Sequence, residues 1–387
     1  MAPNQSASSQ YASAFNQGPS NQAAWLTAKS AYPLRVSVAP YTPPSAHQIV
    51  VKNHAVAVNP IEWTKQLMGN LMFTWIKYPF VLGNDCAGEV VQVGDMVSRI
   101  EVGDRVLAHA VSMDPGVNKS SEGAFQNYTV IHDNMVTVIP DWLSYEEACV
   151  LPLGLSTAGT ALFHSEFLFL NRPGTPLGTA PNSPPEAVLV WGGSTSVGCN
   201  AIQLAVSAGY EVITTCSPQN FEYVTSLGAS ATFDYRNELT IQQIIHTLSK
   251  KKVVGAIAIG KNSTEACIEI LAKTNGSKFV ARASFPFQER VPTTTFRAMA
   301  AAMWSNIKIL IKAKRCGVKT KFIFGSSAVH TEVGSMVYRE FLPNALETGN
   351  FVAAPKPRVV GKGLAQIQSA MDCHMRGVSA QKVVVSL

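Results

Sequence analysis

The stretch Val188-Leu-Val-Trp-Gly-Gly-Ser-Thr-Ser-Val-Gly198, followed by Ala201-Ile-Gln-Leu-Ala205, decides the fold of this chain. Its apolar start predicts a buried parallel strand, its small residues predict a tight turn, and its end has the apolar spacing of a helix. This order places backbone amides and the positive end of a helix dipole at the carboxyl end of the strand, which suits a pyrophosphate. Gly198 permits close contact between helix and strand. Taken alone, the stretch also fits an ordinary Gly/Ser turn, because Ser196 stands where a glycine is common.

The end of the next predicted strand, Glu211–Cys216, indicates which dinucleotide would bind there. Strands that bind NAD usually end in an acidic residue that accepts hydrogen bonds from the ribose hydroxyls. This strand ends in Ser217-Pro-Gln-Asn220, whose neutral donors suit a 2′-phosphate. Tyr235 and Arg236 follow the third strand and are expected near the same phosphate. NADPH is therefore favoured over NADH, unless Tyr235 only completes the third strand.

Length and composition limit the classes of function. The chain has 387 residues, which is enough for two domains. Only 14% of the residues are charged, against roughly 25% in an average domain. This composition leaves apolar surface for a substrate, a partner or a second subunit, and we expect a monomer or a homodimer. The formal net charge of +6 comes without a basic and aromatic stripe, so nucleic-acid binding is not expected.

Cysteine usage and the first residues indicate the compartment. The seven cysteines are scattered without metal-ligand spacing, which predicts a reducing environment rather than a disulfide framework. Residues 1–22 are rich in Ser, Gln, Asn and Ala, which predicts a disordered tail without the features of a signal or transit peptide. No uninterrupted apolar run reaches the roughly 18 residues of a membrane span. A soluble, cytoplasmic protein without a membrane partner is expected.

Three regions follow the predicted tail. Residues 23–150 alternate short strands with Pro and Gly, including separate strands at 48–52 and 54–59, which predicts a mostly antiparallel barrel. A helix capped by Ser144 and Glu147 ends this region. Residues 151–342 begin with a helix at 152–169 and then alternate strands with helices, which predicts an α/β domain with a doubly wound parallel sheet. Residues 343–387 return to strand–helix–strand character and are expected to rejoin the first domain.

Several motifs, in order along nearly the whole chain, resemble the medium-chain dehydrogenase/reductase superfamily. The motifs are Ala55-Val-Ala-Val-Asn-Pro60, Leu82-Gly-Asn-Asp-Cys-Ala-Gly-Glu-Val90, Val102-Gly-Asp-Arg-Val106, Gly123-Ala-Phe125 with Tyr128, Leu151-Pro152 with Ser156-Thr-Ala-Gly159, the glycine-rich turn, and Gly377-Val-Ser-Ala-Gln-Lys-Val-Val384. Thr215–Asn220 and Phe233–Arg236 look most like the zinc-independent fungal reductases, which include the trans-acting enoyl reductases of polyketide pathways. The resemblance implies a GroES-like barrel at 23–150 and an NADPH-binding Rossmann domain at 151–342.

The resemblance also defines where a catalytic zinc would bind. Zinc-dependent members need a Cys shortly after Asn-Pro, a His in Gly-His-Glu and a later Cys or His. Here the second motif reads Gly83-Asn84-Asp85, and no Cys follows Asn59-Pro60 before Cys86. No metal is therefore expected, and Asn84 either donates a hydrogen bond into the cleft or is a simple turn residue.

In the related enoyl reductases, an Asn-Pro-x-Asp-x-Lys stretch lies beside the nicotinamide. Here the stretch reads Asn59-Pro-Ile-Glu-Trp-Thr-Lys65, so Thr64 takes the lysine position and Lys65 comes one residue later. One residue turns a helical side chain by about 100°. Either a local bulge restores Lys65 or the site works with Thr64. Lys65 as a surface or cofactor-phosphate lysine is the alternative.

The predicted ligand contacts follow from the same resemblance. Thr157 is expected near the nicotinamide ribose or carboxamide, with a plain helix hydroxyl as the alternative. The predicted cofactor-binding residues are Pro60, Thr157, Gly193, Ser194, Thr195, Ser196, Val197, Ser217, Gln219, Asn220, Tyr235, Ile259, Gly260 and Val383. The predicted substrate residues are Leu153, Leu155, Ser284 and Phe285, and core packing explains the apolar ones almost as well.

The resemblance implies hydride transfer from NADPH to the β-carbon of an apolar enoyl or enone substrate, in fungal secondary metabolism. A quinone or aldehyde reductase is the alternative within enzymes. A redox-silent member that uses the cleft for binding, cyclisation or isomerisation is a further alternative. The basic stretch from Lys308 to Lys321 is either a solvated helical face or a docking surface for an acidic acyl carrier, to which the substrate would be tethered.

Overall fold

A computed structural model describes residues 19–174, 184–284 and 295–387, with the backbone alone for 295–302. Within these ranges the strands form sheets of three, six and seven strands. The six-stranded sheet is parallel, and the other two are mostly antiparallel. The chain therefore combines a Rossmann domain with a GroES-like barrel, as the sequence predicted.

The barrel side is built around one long central strand. Its strands are β1 (Asn21–Leu26), β2 (Arg35–Ala39), β3 (Gln48–Ala57), β4 (Phe80–Val81), β5 (Asp85–Val93), β6 (Arg105–His109), β7 (Tyr128–His132) and β8 (Val136–Val138). The seven-stranded sheet has the order β15-β16-β3-β5-β6-β8, with β7 paired to β3.

β3 merges the two strands that the sequence predicted at 48–52 and 54–59. Its first half pairs with β7 and its last three residues pair with β16, while β5 accompanies it throughout. At the change of partner, the Asn53 amide donates to the carbonyl oxygens of Ala124 and Gln126 and to the Thr129 hydroxyl. The polar residue that divided the pattern therefore joins β3 to the neighbouring loop instead of ending the strand.

The parallel sheet holds the glycine-rich turn at its centre. Its strands are β9 (Glu186–Trp191), β10 (Glu211–Cys216), β11 (Ala231–Asp234), β12 (Lys252–Ala258), β13 (Phe279–Arg282) and β14 (Lys319–Phe322). Their order is β11-β10-β9-β12-β13-β14, so consecutive strands run outward from β9 in both directions. Ligands of such sheets bind outside the carboxyl ends, at the point where the order reverses.

The helices cover both faces of the parallel sheet and close the barrel. They are α1 (Pro60–Met68), α2 (Tyr145–Ala148), α3 (Pro152–Phe163), α4 (Ser196–Ser207), α5 (Phe221–Ser226), α6 (Thr240–Leu248), α7 (Ser263–Ala272), α8 (Thr295–Arg315), α9 (Glu332–Ser335), α10 (Leu342–Glu347) and α11 (Ile367–Met375). A 3-10 segment follows β14 at Gly325–His330, and a π-helical turn spans Met336–Phe341. The chain then forms β15 (Lys356–Lys362), α11 and β16 (Gln381–Ser386), and β16 pairs with β3.

Two predicted boundaries differ from the structure. β1 begins at Asn21, inside the predicted tail of 1–22, because the buried Asn21 amide donates to the Pro40 carbonyl and to the Gln126 side chain. α3 ends at Phe163, six residues before the predicted end. The chain folds back after α3, since Leu170 donates its N–H to the Leu162 carbonyl and is buried.

The outward side of α8 is apolar rather than a simple solvated lysine face. Five large apolar side chains there are 36% to 63% exposed, namely Met303, Trp304, Ile307, Leu310 and Ile311. Lys312 lies 3.6 Å from Glu269, and the ammonium of Lys308 lies 5.6 Å from the Trp304 ring centre. No helix in the described part of the chain is long and apolar enough to cross a membrane.

Candidate active site

The glycine-rich turn presents backbone amides at the centre of the parallel sheet. The Thr195 hydroxyl caps α4, accepting the Gly198 N–H at 3.1 Å and donating to the Gly192 carbonyl at 2.7 Å. The first amides of a helix have no intrahelical acceptor, so those of Ser196 and Val197 are available to a ligand. Gly193 differs from the prediction in one respect, because its N–H already donates to the Thr215 carbonyl.

Close packing around the turn leaves room only for glycine. A Cβ on Gly198 would lie 2.2 Å from the Gly192 carbonyl oxygen, and one on Gly154 of α3 would lie 2.6 Å from the Ser196 hydroxyl. That hydroxyl is buried and makes no hydrogen bond within the described part of the chain. A buried donor without a partner beside free helix amides fits a phosphate ligand.

A cationic corner lies beyond the end of β10. The Arg236 guanidinium donates to the Ser217 hydroxyl at 2.6 Å and lies 5.3 Å from the Tyr235 ring centre. Hydrogen bonds with Ser217 and Arg236 lower the pKa of the Tyr235 hydroxyl. The structure thus brings Ser217, Tyr235 and Arg236 together. Gln219 and Asn220 instead donate to the Ser379 hydroxyl, at 3.2 and 3.1 Å.

The carboxyl ends of β12 and β13 bring further predicted residues together. The N–H of Gly260, a residue with φ of +104° and open space where a Cβ would stand, donates to the Ser284 hydroxyl at 2.5 Å. Ile259 immediately precedes Gly260, and its N–H donates to the Trp191 carbonyl. Ser284 therefore lies beside the predicted cofactor edge. Phe285 lies outside the described residues.

α3 carries predicted residues with different surroundings. The Thr157 hydroxyl donates to the Leu153 carbonyl at 2.7 Å, which leaves its oxygen free to accept a hydrogen bond. Leu153 is partly exposed, whereas Leu155 is fully buried in the core. Of the two leucines, only Leu153 presents surface to a ligand in this arrangement. Pro60 is the exposed first residue of α1, and the buried Val383 accepts the Val58 N–H nearby.

A buried polar cluster lies where the resemblance would place metal ligands. It consists of Asn59, Glu62, Asn84, Asp85 and Lys382, and we call it the seam cluster. The Asp85 carboxylate accepts hydrogen bonds from the Asn59 amide at 2.8 Å and from the Leu153 N–H at 2.7 Å, and it lies 2.8 Å from the Lys382 ammonium. The Asn84 amide donates to Glu62 at 3.1 Å. These groups satisfy one another.

The seam cluster holds two carboxyl groups and one ammonium in a buried site. Burial and the nearby Asp85 charge raise the pKa of Glu62 to about 8, against the opposing effects of Lys382 and the Asn59 N–H. The backbone N–H of Asn59 donates to Glu62 at 2.7 Å, completing a capping box at the start of α1. Glu62 thereby joins the start of the helix to Asn84, the residue just before β5.

α1 places Thr64 and Lys65 in different surroundings. The Lys65 ammonium donates to the carbonyl oxygens of Gly69 at 2.9 Å, Met72 at 2.8 Å and Phe73 at 3.3 Å. All three of its hydrogens therefore have acceptors in the five residues that follow the helix. Burial lowers the pKa of Lys65 to about 8. Thr64, 3% exposed, is not part of this arrangement.

A buried hydrogen-bonded chain joins the barrel to α3. His109 Nδ1 lies 2.8 Å from the Ser156 hydroxyl, which lies 2.7 Å from the Tyr338 hydroxyl, and Tyr338 donates to the Pro152 carbonyl. Burial lowers the pKa of His109 to about 4, so its ring is neutral near pH 7. Together with Asp85, this chain fixes the first two turns of α3, which carry Leu153 and Thr157.

Within the described residues, no group of three or more His, Cys, Asp or Glu side chains is arranged to hold a metal ion. Cys86 donates to the Ala108 carbonyl, and burial raises the pKa of its thiol. The amide, carboxylate and ammonium groups of the seam cluster are paired internally. The residues present therefore do not fit a catalytic zinc site.

Comparison with known proteins agrees with this geometry. The family description "Alcohol dehydrogenase GroES-like domain" matches residues 45–141. "Dehydrogenase pigH" of Monascus ruber is 51% identical over 373 residues, covering 95% of this chain and 100% of that protein. The chain belongs to the medium-chain dehydrogenase/reductase superfamily. Within the superfamily it falls in the fungal branch that resembles enoyl reductases, and it is an oxidoreductase.

Two further comparisons describe this branch of the superfamily. "Trans-enoyl reductase himH" of Aspergillus japonicus is 35% identical over 370 residues, covering 95% of this chain and 97% of that protein. The solved structure of CurK enoyl reductase has a TM-score of 0.70 at 20% identity, covering 95% of this chain and 99% of that chain. The structural likeness supports the two-domain superfamily fold.

Sequence reasoning missed several residues of this superfamily member's site. Glu62 had a local signal, because Asn59 followed three residues later by Glu62 is a capping-box pattern. Lys382 stood inside a quoted motif, but nothing nearby in the sequence indicated its partners Asn59 and Asp85. The chain from His109 to Tyr338 had no sequence signal, since Ser156 and Tyr338 are 182 residues apart.

Proposed function

We propose that this protein is a zinc-independent, NADPH-dependent reductase of fungal secondary metabolism. It transfers a hydride to the β-carbon of an apolar α,β-unsaturated ketone or thioester. The product of this step is an enolate, which is then protonated at the α-carbon. The proposal extends the family membership to a cofactor preference, a substrate class and a set of acting residues.

The composition of the seam cluster carries the proposal. Its carboxylates and ammonium are committed to one another, so activation of a substrate carbonyl is left to neutral donors. An enolate spreads its negative charge over carbon and oxygen, whereas the alkoxide formed from a simple ketone keeps the charge on oxygen. Weak, preorganised donors therefore suit conjugate reduction better than reduction of an isolated carbonyl.

The chain's own side chains would act as follows. The bound nicotinamide supplies the hydride. The Thr157 oxygen, whose hydrogen is committed to Leu153, accepts from an amide N–H of the ligand. Thr64 and the second amide hydrogen of Asn84 are the donors for the enolate oxygen, because the Lys65 ammonium is already bound to three carbonyl oxygens. Leu153 and Ser284 adjoin the substrate.

The corner beyond β10 supports NADPH over NADH. Ser217, Tyr235 and Arg236 form a group of donors and one cation, and the guanidinium is suited to bind a phosphate. Gln219 and Asn220 support the neighbouring loop through Ser379. The amides of Ser194, Ser196 and Val197, with the Ser196 hydroxyl, would hold the pyrophosphate.

Stopped-flow loss of NADPH absorbance with a panel of an enone, an enoyl thioester, a quinone and an aldehyde tests the proposal. We expect turnover with the enone and the thioester, and 4-deuterated NADPH should place deuterium on the β-carbon by NMR. Exclusive turnover of the quinone or the aldehyde would replace the proposed reaction. Tight NADPH binding without oxidation by any member of the panel would favour a redox-silent protein.

We extend the proposal to a substrate tethered to an acidic acyl carrier that docks beside α8. Exposed Lys314 and Arg315 stand next to the apolar outer face of this helix. Reversal of both charges to Glu should lower kcat/KM for a crotonyl-carrier domain and leave that for crotonyl-pantetheine unchanged. An equal effect on both substrates would argue against carrier docking.

A further inference from the structure

Lys65 organises the chain that follows α1. Its ammonium donates to the carbonyl oxygens of Gly69, Met72 and Phe73, and among the residues that the structure describes no carboxylate forms an ion pair with it. These carbonyls point toward one another because the chain reverses between two residues in the left-handed region, Gly69 with φ of +55° and Phe73 with φ of +53°. Converging carbonyl dipoles repel unless a cation lies between them. The ammonium therefore holds this turn closed.

The turn places Phe73 in contact with two other aromatic side chains, one from the barrel side and one from the chain after β14. The Phe73 ring centre lies 5.4 Å from that of Trp75 and 5.7 Å from that of Phe324. The Trp75 indole donates to the Met113 carbonyl at 3.2 Å. Phe73 is buried, whereas Trp75 and Phe324 are partly exposed. We call these three side chains the aromatic wall.

The aromatic wall adjoins residues proposed to contact the ligands. Phe324 is followed by Gly325, where a Cβ would lie 2.4 Å from the Thr157 hydroxyl oxygen and 3.1 Å from a methyl carbon of Leu153. Thr157 and Leu153 are on the first two turns of α3. The wall therefore stands immediately beside the proposed nicotinamide and substrate positions.

We propose that the aromatic wall selects the substrate by shape, and that Lys65 is the positioning residue that holds the wall through the turn at Gly69–Phe73. The substrate named in this inference rests on the proposed function. The role of Lys65 in holding the turn depends only on the contacts above. Two partly exposed rings held against the buried Phe73 give an angled, apolar surface that suits the extended or aromatic part of an enone. Lys65 thus acts on substrate fit and does not donate the proton.

The variants Lys65→Met, Lys65→Arg and Phe324→Ala test the inference against a small enone, 2-cyclohexenone, and an extended one, 4-phenyl-3-buten-2-one. We expect Lys65→Met and Phe324→Ala each to raise KM for the extended enone about tenfold or more, since small misplacements of a positioning surface weaken binding strongly. For cyclohexenone, kcat should stay within about twofold of wild type. Lys65→Arg should recover part of the loss, because it retains a cation with several donors.

An equal fall in kcat for both enones in Lys65→Met, with Phe324→Ala unchanged, would assign Lys65 to proton transfer and overturn the inference. Unchanged kinetics in Lys65→Met and Phe324→Ala would overturn it as well. If Lys65→Met does not fold, Phe324→Ala and Lys65→Arg still decide the case.

Hydrogen exchange separates failure of the inference from failure of the proposed function. The Met72 and Ile76 amides donate within the turn, to the carbonyls of Gly69 and Phe73. We expect Lys65→Met to speed their exchange at least tenfold while leaving that of β9 unchanged. Inactivity of the wild type toward every enone would reject the proposed function alone, whereas unchanged exchange at Met72 and Ile76 would reject the role of Lys65.

Discussion

The glycine-rich turn and the seam cluster differ in how their charges are arranged. The turn offers a ligand partial positive charge from backbone amides, using glycine to bring helix and strand together at Gly198. The seam cluster pairs the Asp85 carboxylate with the Lys382 ammonium beside the Glu62 carboxyl group, whose pKa is raised to about 8, and these side chains are occupied with one another. The turn is therefore ready for a ligand without removing any internal bond, whereas the seam cluster is a support for the parts around it.

This difference predicts how each region responds to substitution. Changes at the turn should act on cofactor affinity, because its backbone amides are the groups proposed to bind the pyrophosphate. Changes in the seam cluster should act first on the free energy of unfolding, because removal of one charged partner leaves another charge buried. The following experiments test that division.

The largest expected effect is on Lys382. Lys382→Met leaves the buried Asp85 carboxylate without its cation, and loss of one partner of a buried pair costs about 3–5 kcal/mol in the free energy of unfolding. Lys252→Met is the matched control, since the Lys252–Glu186 pair at 2.6 Å is largely exposed on the lysine side. The control should cost much less, because an exposed ion pair adds little to the free energy of unfolding. Urea denaturation measures the free energy of unfolding of both variants. Equal losses would show that the buried Lys382–Asp85 pair stabilises the fold no more than an exposed ion pair does.

The second effect is on the turn. Gly198→Ala would bring a Cβ to 2.2 Å from the Gly192 carbonyl oxygen and should separate α4 from the turn. We expect NADPH affinity to fall about 100-fold, because the amides would no longer converge on the phosphates. Titration calorimetry measures the affinity. Gly317→Ala, with φ of +64° and no atom near its Cβ position, is the control, and its NADPH affinity should match wild type.

A smaller effect is expected at the corner beyond β10. Arg236→Ala removes the guanidinium bound to Ser217 and should weaken NADPH binding about 10- to 30-fold, the size of one charge-assisted contact. NADH binding should hardly change. The ratio of the two dissociation constants is the measurement, and a parallel loss for both cofactors would remove Arg236 from the 2′-phosphate site.

The last prediction concerns the pH dependence of the free energy of unfolding, which changes by a small amount per pH unit. The pKa of Glu62 is raised from 4.5 to about 8, so the folded state holds a proton that the unfolded state lacks between those values, and the free energy of unfolding falls as pH rises through them. The pKa of Lys65 is lowered from 10.5 to about 8, so its contribution rises from about pH 8 to 10.5. Each slope is at most about 1.4 kcal/mol per pH unit.

Denaturation across this pH range compares the wild type with two variants. Glu62→Gln should remove the fall below pH 8, and Lys65→Met should remove the rise above it. If neither variant changes the slope of the free energy of unfolding against pH, the two groups have ordinary pKa values in the folded protein.

The sequence predicted local features better than distant ones. The strand, turn and cap of α4 are encoded in neighbouring residues, so the centre of the Rossmann domain could be predicted from one stretch, and the phosphate site there stays a prediction. Ser217 and Arg236 could be paired because both follow adjacent strands. The pairing of Asp85 with Lys382 depends on β16 returning to β3, and no local pattern specifies such a partner.

The Thr64 and Lys65 alternative shows the same limit at one site. The spacing of α1 could not settle which side chain faces the cleft, because the answer depends on where the chain goes after the helix. The carbonyls of Gly69, Met72 and Phe73 decide the surroundings of Lys65. Their convergence follows from left-handed backbone at Phe73, a conformation that a phenylalanine does not predict.

Hydrogen bonds between the barrel strands and the chain that follows them constrain how the protein opens. Asp85 bonds Leu153, Thr137 bonds the Tyr338 carbonyl, and Asn134 bonds the Val329 carbonyl. A hinge motion of one domain as a rigid body would break these contacts together, at about 1 kcal/mol or more for each. Local displacement of a loop costs less. Exchange of ligands by local displacement of a loop, with these hydrogen bonds intact, is therefore expected.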